Sequence, residues 1–129
     1  MELFFIDTHE RGFASLGFVS KNYSSIKTYE VKPGALMETL DKNFAKKNIA
    51  EAEGIILVQG PGSFSSIRAG VLIGNLLARV YQKPLYAVSV RESQSPSRLI
   101  TRIQNAELAS VKYADPVYDA EPNITMPKI

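Results

Sequence analysis

The first residues of this 129-residue chain to consider for chemistry form one glycine-rich turn. The turn, Gly60-Pro61-Gly62-Ser63, follows an apolar run and precedes a helical pattern, so its backbone N–H groups could face an anion. It lacks the Lys-Ser/Thr ending of a phosphate-binding P-loop. We therefore expect the glycines mainly to shape a tight strand-to-helix turn, with Ser63 or Ser65 as the N-cap residue. Phosphate binding is the less favoured interpretation.

One carboxylate and one imidazole near the N-terminus are the other candidates. Asp7 ends the first predicted strand, where a lone carboxylate can cap the following turn. His9 is the only histidine, and it lies beside Glu10 and Arg11 in a predicted exposed hairpin. A single histidine in such a hairpin cannot supply paired His ligands or complete a Ser-His-Asp set. Because the chain has no cysteine, a thiol nucleophile is also excluded. The sequence predicts no catalytic residue, no metal site and no cofactor.

The composition indicates a small protein without an extreme charge. Lys and Arg total 15 against 13 Asp and Glu, and a net charge of +2 is too small to indicate a nucleic-acid binder by itself. With 45% hydrophobic residues, the chain can form one compact domain. Its start lacks the features of a signal peptide, and its apolar runs are too short to span a bilayer. We expect a soluble, cytoplasmic protein.

Five short apolar runs predict the strands that must position these residues. They lie at 3–6, 13–19, 26–31, 55–58 and 85–90. The first three are typical of an antiparallel meander, and the fourth, bounded by Gly54 and Gly60, is typical of a strand covered on both faces. Helices are predicted at about 36–44 and 65–81, so helical crossovers place the last two strands at a parallel edge. The predicted fold is α/β, a mixed sheet of about five strands with helices packed on it.

The region after residue 90 is predicted to be less regular. The expected elements are a loop at 91–98, a short helix at 99–103, a strand at 108–113 and a proline-containing tail at 115–129. We therefore divide the chain into a core domain at 1–90 and a C-terminal extension and tail at 91–129.

The helix at 65–81 is apolar around most of its circumference. Its apolar residues include Ile67, Val71, Leu72, Ile73, Leu76, Leu77 and Val80. A helix that covers one side of a sheet should have a solvated face, so we expect a second protein to cover the excess. Ser66, Gly70 and Gly74 recur at four-residue spacing and allow a close backbone approach. That approach is equally compatible with the helix's own sheet and with a partner.

The segment from Gly60 to Gly70, with the sequence GPGSFSSIRAG, resembles the signature region of the TsaB (YeaZ) family. Further similarity lies at Ile6-Asp7-Thr8, Lys83-Pro84-Leu85 and Ala87-Val88-Ser89, and, in the C-terminal tail, at Pro116-Val117-Tyr118 and Glu121-Pro122-Asn123-Ile124-Thr125. Members of this family usually have two ribonuclease-H-like domains of the actin-like ATPase superfamily. The resemblance therefore indicates a short form that keeps mainly the first domain.

The resemblance implies a supporting role. TsaB-like proteins do not perform the chemistry but bind and support the TsaD-like subunit, which transfers threonylcarbamoyl to adenosine 37 of tRNA. The helices of the first domain make this contact, and in isolation they often form a homodimer. A TsaE-like subunit and tRNA would be reached through the complex, with no membrane involved. Actin-like ATPases place a metal-linked aspartate at the position of Asp7, but one domain supplies only half of a nucleotide cleft.

The candidate residues form two predicted groups. The expected partner-binding residues are Leu36, Leu40, Phe44, Ile67, Gly70, Val71, Gly74 and Leu77. The family signature loop comprises Gly60, Pro61, Gly62, Ser63, Phe64 and Arg68. Val71 and Leu77 are the candidates for facing away from the sheet.

We therefore expect a non-catalytic accessory subunit of a tRNA threonylcarbamoyladenosine transferase complex. Two alternatives stay open. One is a reduced actin-like ATPase or other nucleotide-binding enzyme, which nucleotide titration would identify. The other is a homodimeric interaction module with a different partner, which would fail to co-migrate with a TsaD-like protein.

Overall fold

The central element of the computed structural model, which describes residues 1–119, is a five-stranded mixed sheet. Its strands are β1 (Glu2–Asp7), β2 (Phe13–Ser20), β3 (Lys27–Glu30), β4 (Ile55–Gly60) and β5 (Leu85–Ser89). They lie in the order β3-β2-β1-β4-β5. β2 runs antiparallel to β1 and β3, whereas β4 runs parallel to β1 and β5. The structure confirms the predicted α/β class and the ribonuclease-H-like arrangement of a meander followed by parallel crossovers.

Four helices in the described part of the chain cover the two faces of the sheet. They are α1 (Leu36–Asn43), α2 (Lys46–Glu51), α3 (Phe64–Val80) and α4 (Pro96–Gln104). Helices α1, α2 and α3 share one apolar core with the sheet, and α4 packs in a second core. Side chains alternate along β1, so Phe4 and Ile6 enter the first core while Leu3 and Phe5 enter the second. Therefore α3 and α4 lie on opposite faces of the sheet.

The region after β5 is more regular than the sequence predicts. A 3-10 turn at Glu92–Gln94 and the start of α4 at Pro96 replace most of the predicted loop. Proline suits the first helical turn, because an N–H there would lack an intrahelical partner. The strand predicted at 108–113 was wrong, since Val111 forms only an isolated bridge to Leu85. The short helix α2 was not predicted.

The predicted division at residue 90 stays a prediction. Leu99 and Ile100 of α4 lie beyond it and are fully buried in the second core, so the extension contributes to the packing of the sheet. The family similarity at 121–125 lies outside the described residues. Between residues 1 and 119, no helix combines the length and apolar character needed to cross a bilayer.

Candidate functional site

The partner-binding residues predicted on α3 face the interior of the domain. Ile67, Val71 and Leu77 belong to the first core, and Gly70 and Gly74 are buried with them. The prediction that Val71 and Leu77 face away from the sheet was wrong, because they are only 4% and 8% exposed. The helix carries apolar residues on two faces, so spacing alone could not determine its rotation against the sheet.

The predicted residues of α1 also pack inside the domain. Leu36 and Leu40 are buried, and Phe44, directly after the helix, is half-buried among aromatic rings. Its ring centroid lies 5.2 Å from that of Phe4 and 6.1 Å from that of Tyr29, both in edge-on orientation. Such edge-to-face pairs stabilise a core beyond the area they bury. Leu36, Leu40 and Phe44 therefore pack against the core of the domain.

The glycines of α3 let the helix approach its own sheet. A Cβ atom at Gly74 would lie 2.7 Å from the side chain of Leu57 in β4, and one at Gly70 would collide with Thr8 just after β1. Leu57 and Thr8 are both buried, so neither has free space to move into. Of the two roles that the sequence left open for these glycines, the structure shows close helix–sheet packing.

A second apolar line runs along the outside of α3. Leu72, Leu76 and Val80 recur at four-residue spacing and are 69%, 45% and 61% exposed. Residues four apart lie on the same face of a helix, and we call these three residues the outer apolar stripe. Arg68 and Arg79, both exposed, lie near its two ends. The helix therefore does carry more apolar surface than the sheet covers. The exposed apolar residues lie on a different face of the helix from the one predicted.

The signature loop joins β4 to α3 and is held by backbone contacts. Gly60 has a φ of +126°, a region that favours glycine, and a Cβ there would strike the carbonyl of Val117. The N–H of Gly62 donates to the carbonyl of Val117 at 3.2 Å, and that of Ser63 donates to the carbonyl of His9 at 3.0 Å. Because both amides have internal acceptors, they are not free to bind a phosphate. The turn-shaping role predicted for the glycines therefore accounts for the observed geometry.

The first turn of α3 completes the loop. Ser63 is the N-cap residue, as predicted, but its hydroxyl makes no capping hydrogen bond. Pro61 follows a cis peptide bond. The ring of Phe64 lies 4.6 Å from that of Tyr118, and the Arg68 guanidinium lies 5.2 Å above the Phe64 ring. These aromatic and cation–π contacts hold Phe64 and Arg68 on the surface beside the outer apolar stripe.

Residues 113–119 form a strap across α3 and the signature loop. Asn75 clamps the strap, since its Nδ2 donates to the carbonyl of Ala114 at 3.0 Å and its Oδ1 accepts from the N–H of Ala114 at 2.7 Å. Further along, the N–H of Val117 donates to the carbonyl of Gln59 at 2.8 Å. Sequence reasoning missed this role of Asn75, although a single amide within an apolar helix was a usable signal.

Asp7 caps the turn that follows β1. Its Oδ1 accepts from the N–H of His9 at 2.9 Å and lies 2.7 Å from His9 Nδ1. The Asp7 side chain is mostly buried, whereas that of His9 is partly exposed. This is the capping arrangement that the sequence allowed for a lone aspartate. In the part of the chain that the structure describes, no group of three or more His, Cys, Asp or Glu side chains is arranged to hold a metal ion.

Glu92 fastens α4 to the end of β5. Its Oε2 accepts from Arg102 Nη1 at 2.8 Å, and its Oε1 accepts from the N–H of Ser89 at 3.0 Å. The Arg102 hydrogen bond, assisted by that N–H, lowers the pKa of Glu92 below its ordinary value.

Comparisons with known proteins agree with this architecture. The family model described as TsaD, tRNA N6-adenosine threonylcarbamoyltransferase, matches residues 34–103, more than half of the chain. No curated protein matches the sequence.

Two solved structures from Pseudomonas aeruginosa share the fold. One is YeaZ, with a TM-score of 0.57 and 19% identity over 68% of this chain and 42% of that chain. The other is an uncharacterized protein with similarity to peptidase YEAZ, with a TM-score of 0.53 and 22% identity over 68% of this chain and 43% of that chain. The chain thus spans less than half of the length of either structure.

Proposed function

The chain belongs to the TsaD family of tRNA N6-adenosine threonylcarbamoyltransferases, and within that family we propose that it is a non-catalytic accessory subunit. In this role it binds a TsaD-like transferase and supports threonylcarbamoyl transfer to adenosine 37 of tRNA. A TsaE-like subunit and tRNA are reached through the complex. The similarity of its signature region to TsaB (YeaZ) proteins supports the accessory role over the transferase role.

The outer apolar stripe is the observation that carries this proposal. Complete burial of a leucine-sized side chain stabilises a complex by roughly 1.5–3 kcal/mol. Scaled by the exposed fractions of Leu72, Leu76 and Val80, covering the stripe is worth about 3–5 kcal/mol. That is enough to anchor an interface, which further contacts around the stripe must complete. Arg68 and Arg79 favour a partner with acidic residues at the rim.

The state of the signature loop supports a non-catalytic role. Phosphoryl transfer requires backbone or cationic groups that cradle the phosphates. Here the Gly62 and Ser63 amides are already bonded to carbonyl groups of Val117 and His9. We therefore expect the purified chain to hydrolyse no ATP above background. ATP turnover by the wild-type chain that is lost in an Asp7→Ala variant would instead support the enzyme alternative.

Sedimentation with a TsaD-like transferase tests the proposed partner. Leu72→Glu and Leu76→Glu each place a charge in the stripe, and burying an unpaired charge is strongly unfavourable. We expect each variant to fold as the wild type does and to bind the transferase more than about 100-fold more weakly, equivalent to roughly 2.7 kcal/mol. A homodimer formed through the same stripe would dissociate in these variants as well.

Tyr23→Glu provides the matched control. Tyr23 is 49% exposed and lies on the connection between β2 and β3, outside α3, so the same charge there should leave binding unchanged. If both stripe variants stay folded and bind with the affinity of the Tyr23→Glu control, α3 is not the interface. If the wild-type chain itself fails to co-migrate with the transferase, a different partner is indicated.

A further inference from the structure

A pocket of about 260 Å³ opens between the β1–β2 hairpin, the start of α1 and the first turns of α3. Its lining residues include the apolar Phe13, Val31, Pro33 and Ala69 and the cationic Arg11 and Lys32. None of the residues of the outer apolar stripe lines it. The pocket is therefore a separate feature from the proposed partner surface.

The volume of the pocket limits the size of a ligand. It exceeds the roughly 150 Å³ of an apolar cavity that holds benzene. It is smaller than the roughly 300–1,000 Å³ that is typical of sites for drug-sized ligands. A single ring or a short branched chain with one small polar group fits these limits.

The charges around the pocket indicate the sign of that polar group. Arg11 and Lys32 line the pocket, and neither forms a salt bridge within residues 1–119. No Asp or Glu is among the lining residues, whereas Ser65 and Ser66 add two hydroxyl groups. The guanidinium of Arg11 can donate two parallel hydrogen bonds to a carboxylate or a phosphate. Thus the cationic groups and hydroxyls complement an anion, while the apolar lining complements its body.

We propose that this pocket binds a small anion with an apolar body, whose carboxylate or phosphate group is held by Arg11 and Lys32. The ring or branched chain of the ligand contacts Phe13, Val31 and Ala69. This site is independent of the transferase and of the outer apolar stripe.

Titration of the full chain with three probes tests the site. Phenylacetate carries a carboxylate, phenyl phosphate carries a phosphate, and phenylacetamide is the neutral counterpart of phenylacetate. Backbone NMR signals of Gly12 and Gly34, which line the pocket, report binding. We expect saturable shifts of both signals with at least one of the two anions and several-fold weaker binding of phenylacetamide. Whichever anion binds more tightly identifies the preferred head group.

Variants separate the charge from the apolar body. Exposed ion pairs are individually weak, so the double variant Arg11→Gln/Lys32→Gln should bind the preferred anion about fivefold more weakly. The control Lys46→Gln/Lys47→Gln removes the same net charge from α2 and should bind as the wild type does. Ala69→Leu fills the pocket from α3 and should abolish the shifts of Gly12 and Gly34, with the fold checked by circular dichroism.

Three results would overturn the proposal. The first is no saturable shift of Gly12 or Gly34 with either anion. The second is equal affinity for phenylacetate, phenyl phosphate and phenylacetamide. The third is unchanged anion binding by a folded Ala69→Leu variant.

Discussion

Replacing Asn75 by alanine should release the strap without unfolding the sheet. The substitution removes two hydrogen bonds, of 2.7 and 3.0 Å, to the buried residue Ala114. Each is worth about 0.5–1.5 kcal/mol, so the free energy that docks the strap falls by about 1–3 kcal/mol. The higher helix propensity of alanine does not change this value, because α3 stays helical when the strap detaches. When the strap detaches, water can solvate the N–H and carbonyl groups of Ala114. The loss of stability therefore cannot exceed the free energy that docks the strap.

Amide hydrogen exchange measures this loss directly. The N–H groups of Gly62 and Val117 donate to Val117 and Gln59, so both bonds break when the strap opens. A loss of about 1–3 kcal/mol predicts that these amides exchange about 5- to 160-fold faster in Asn75→Ala, while amides of β1 and β4 keep their protection.

Asn43→Ala is the control for this prediction. Asn43 donates to the carbonyl of Thr39 on the exposed surface of α1, so its loss should leave the exchange of Gly62 unchanged. Wild-type exchange rates of Gly62 and Val117 in Asn75→Ala would refute the clamp. Equal acceleration throughout the sheet would show that Asn75 stabilises the whole domain and has no specific effect on the strap.

Two further substitutions test the packing and the electrostatics. Gly70→Ala should lower the free energy of unfolding, measured in urea titrations, by about 1–2 kcal/mol. The new Cβ collides with Thr8, and this overpacking outweighs the gain in helix propensity. A variant as stable as the wild type would contradict the close contact between Gly70 and Thr8. Glu92→Gln should reduce stability at neutral pH but not in acid. Because the pKa of Glu92 is lower in the folded state, ionised Glu92 stabilises the fold at pH values above 4.5, the ordinary pKa of the side chain. This contribution is lost as the pH falls through the lowered pKa of the folded state. A stability difference that is constant from neutral pH to below that pKa would contradict this origin.

The sequence predicted the sheet because the strands carry clear local signals. The residues at 55–58 form a continuous apolar run between two glycines. All four are buried, and their side chains enter the first and the second core alternately. The glycine turn likewise predicted the start of α3 to within one residue, since a strand-to-helix turn needs a conformation that glycine adopts at Gly60.

The candidate site was harder to predict because it depends on distant contacts. The rotation of α3 is set by Gly70 against Thr8 and Gly74 against Leu57, and an apolar pattern on two faces cannot supply that information. The clamp joins Asn75 to Ala114, 39 residues away, where no periodic pattern links the two. Local periodicity therefore identified the correct helix, but the tertiary contacts determined which of its residues are exposed.

A methyl-resolved NMR titration with a TsaD-like transferase shows which face of α3 the transferase contacts. We expect the methyl signals of Leu72, Leu76 and Val80 to shift or broaden on binding, while those of the buried Val71 and Leu77 change much less. Complex formation that leaves the signals of the outer apolar stripe unchanged would contradict the claim that this face of α3 binds the transferase.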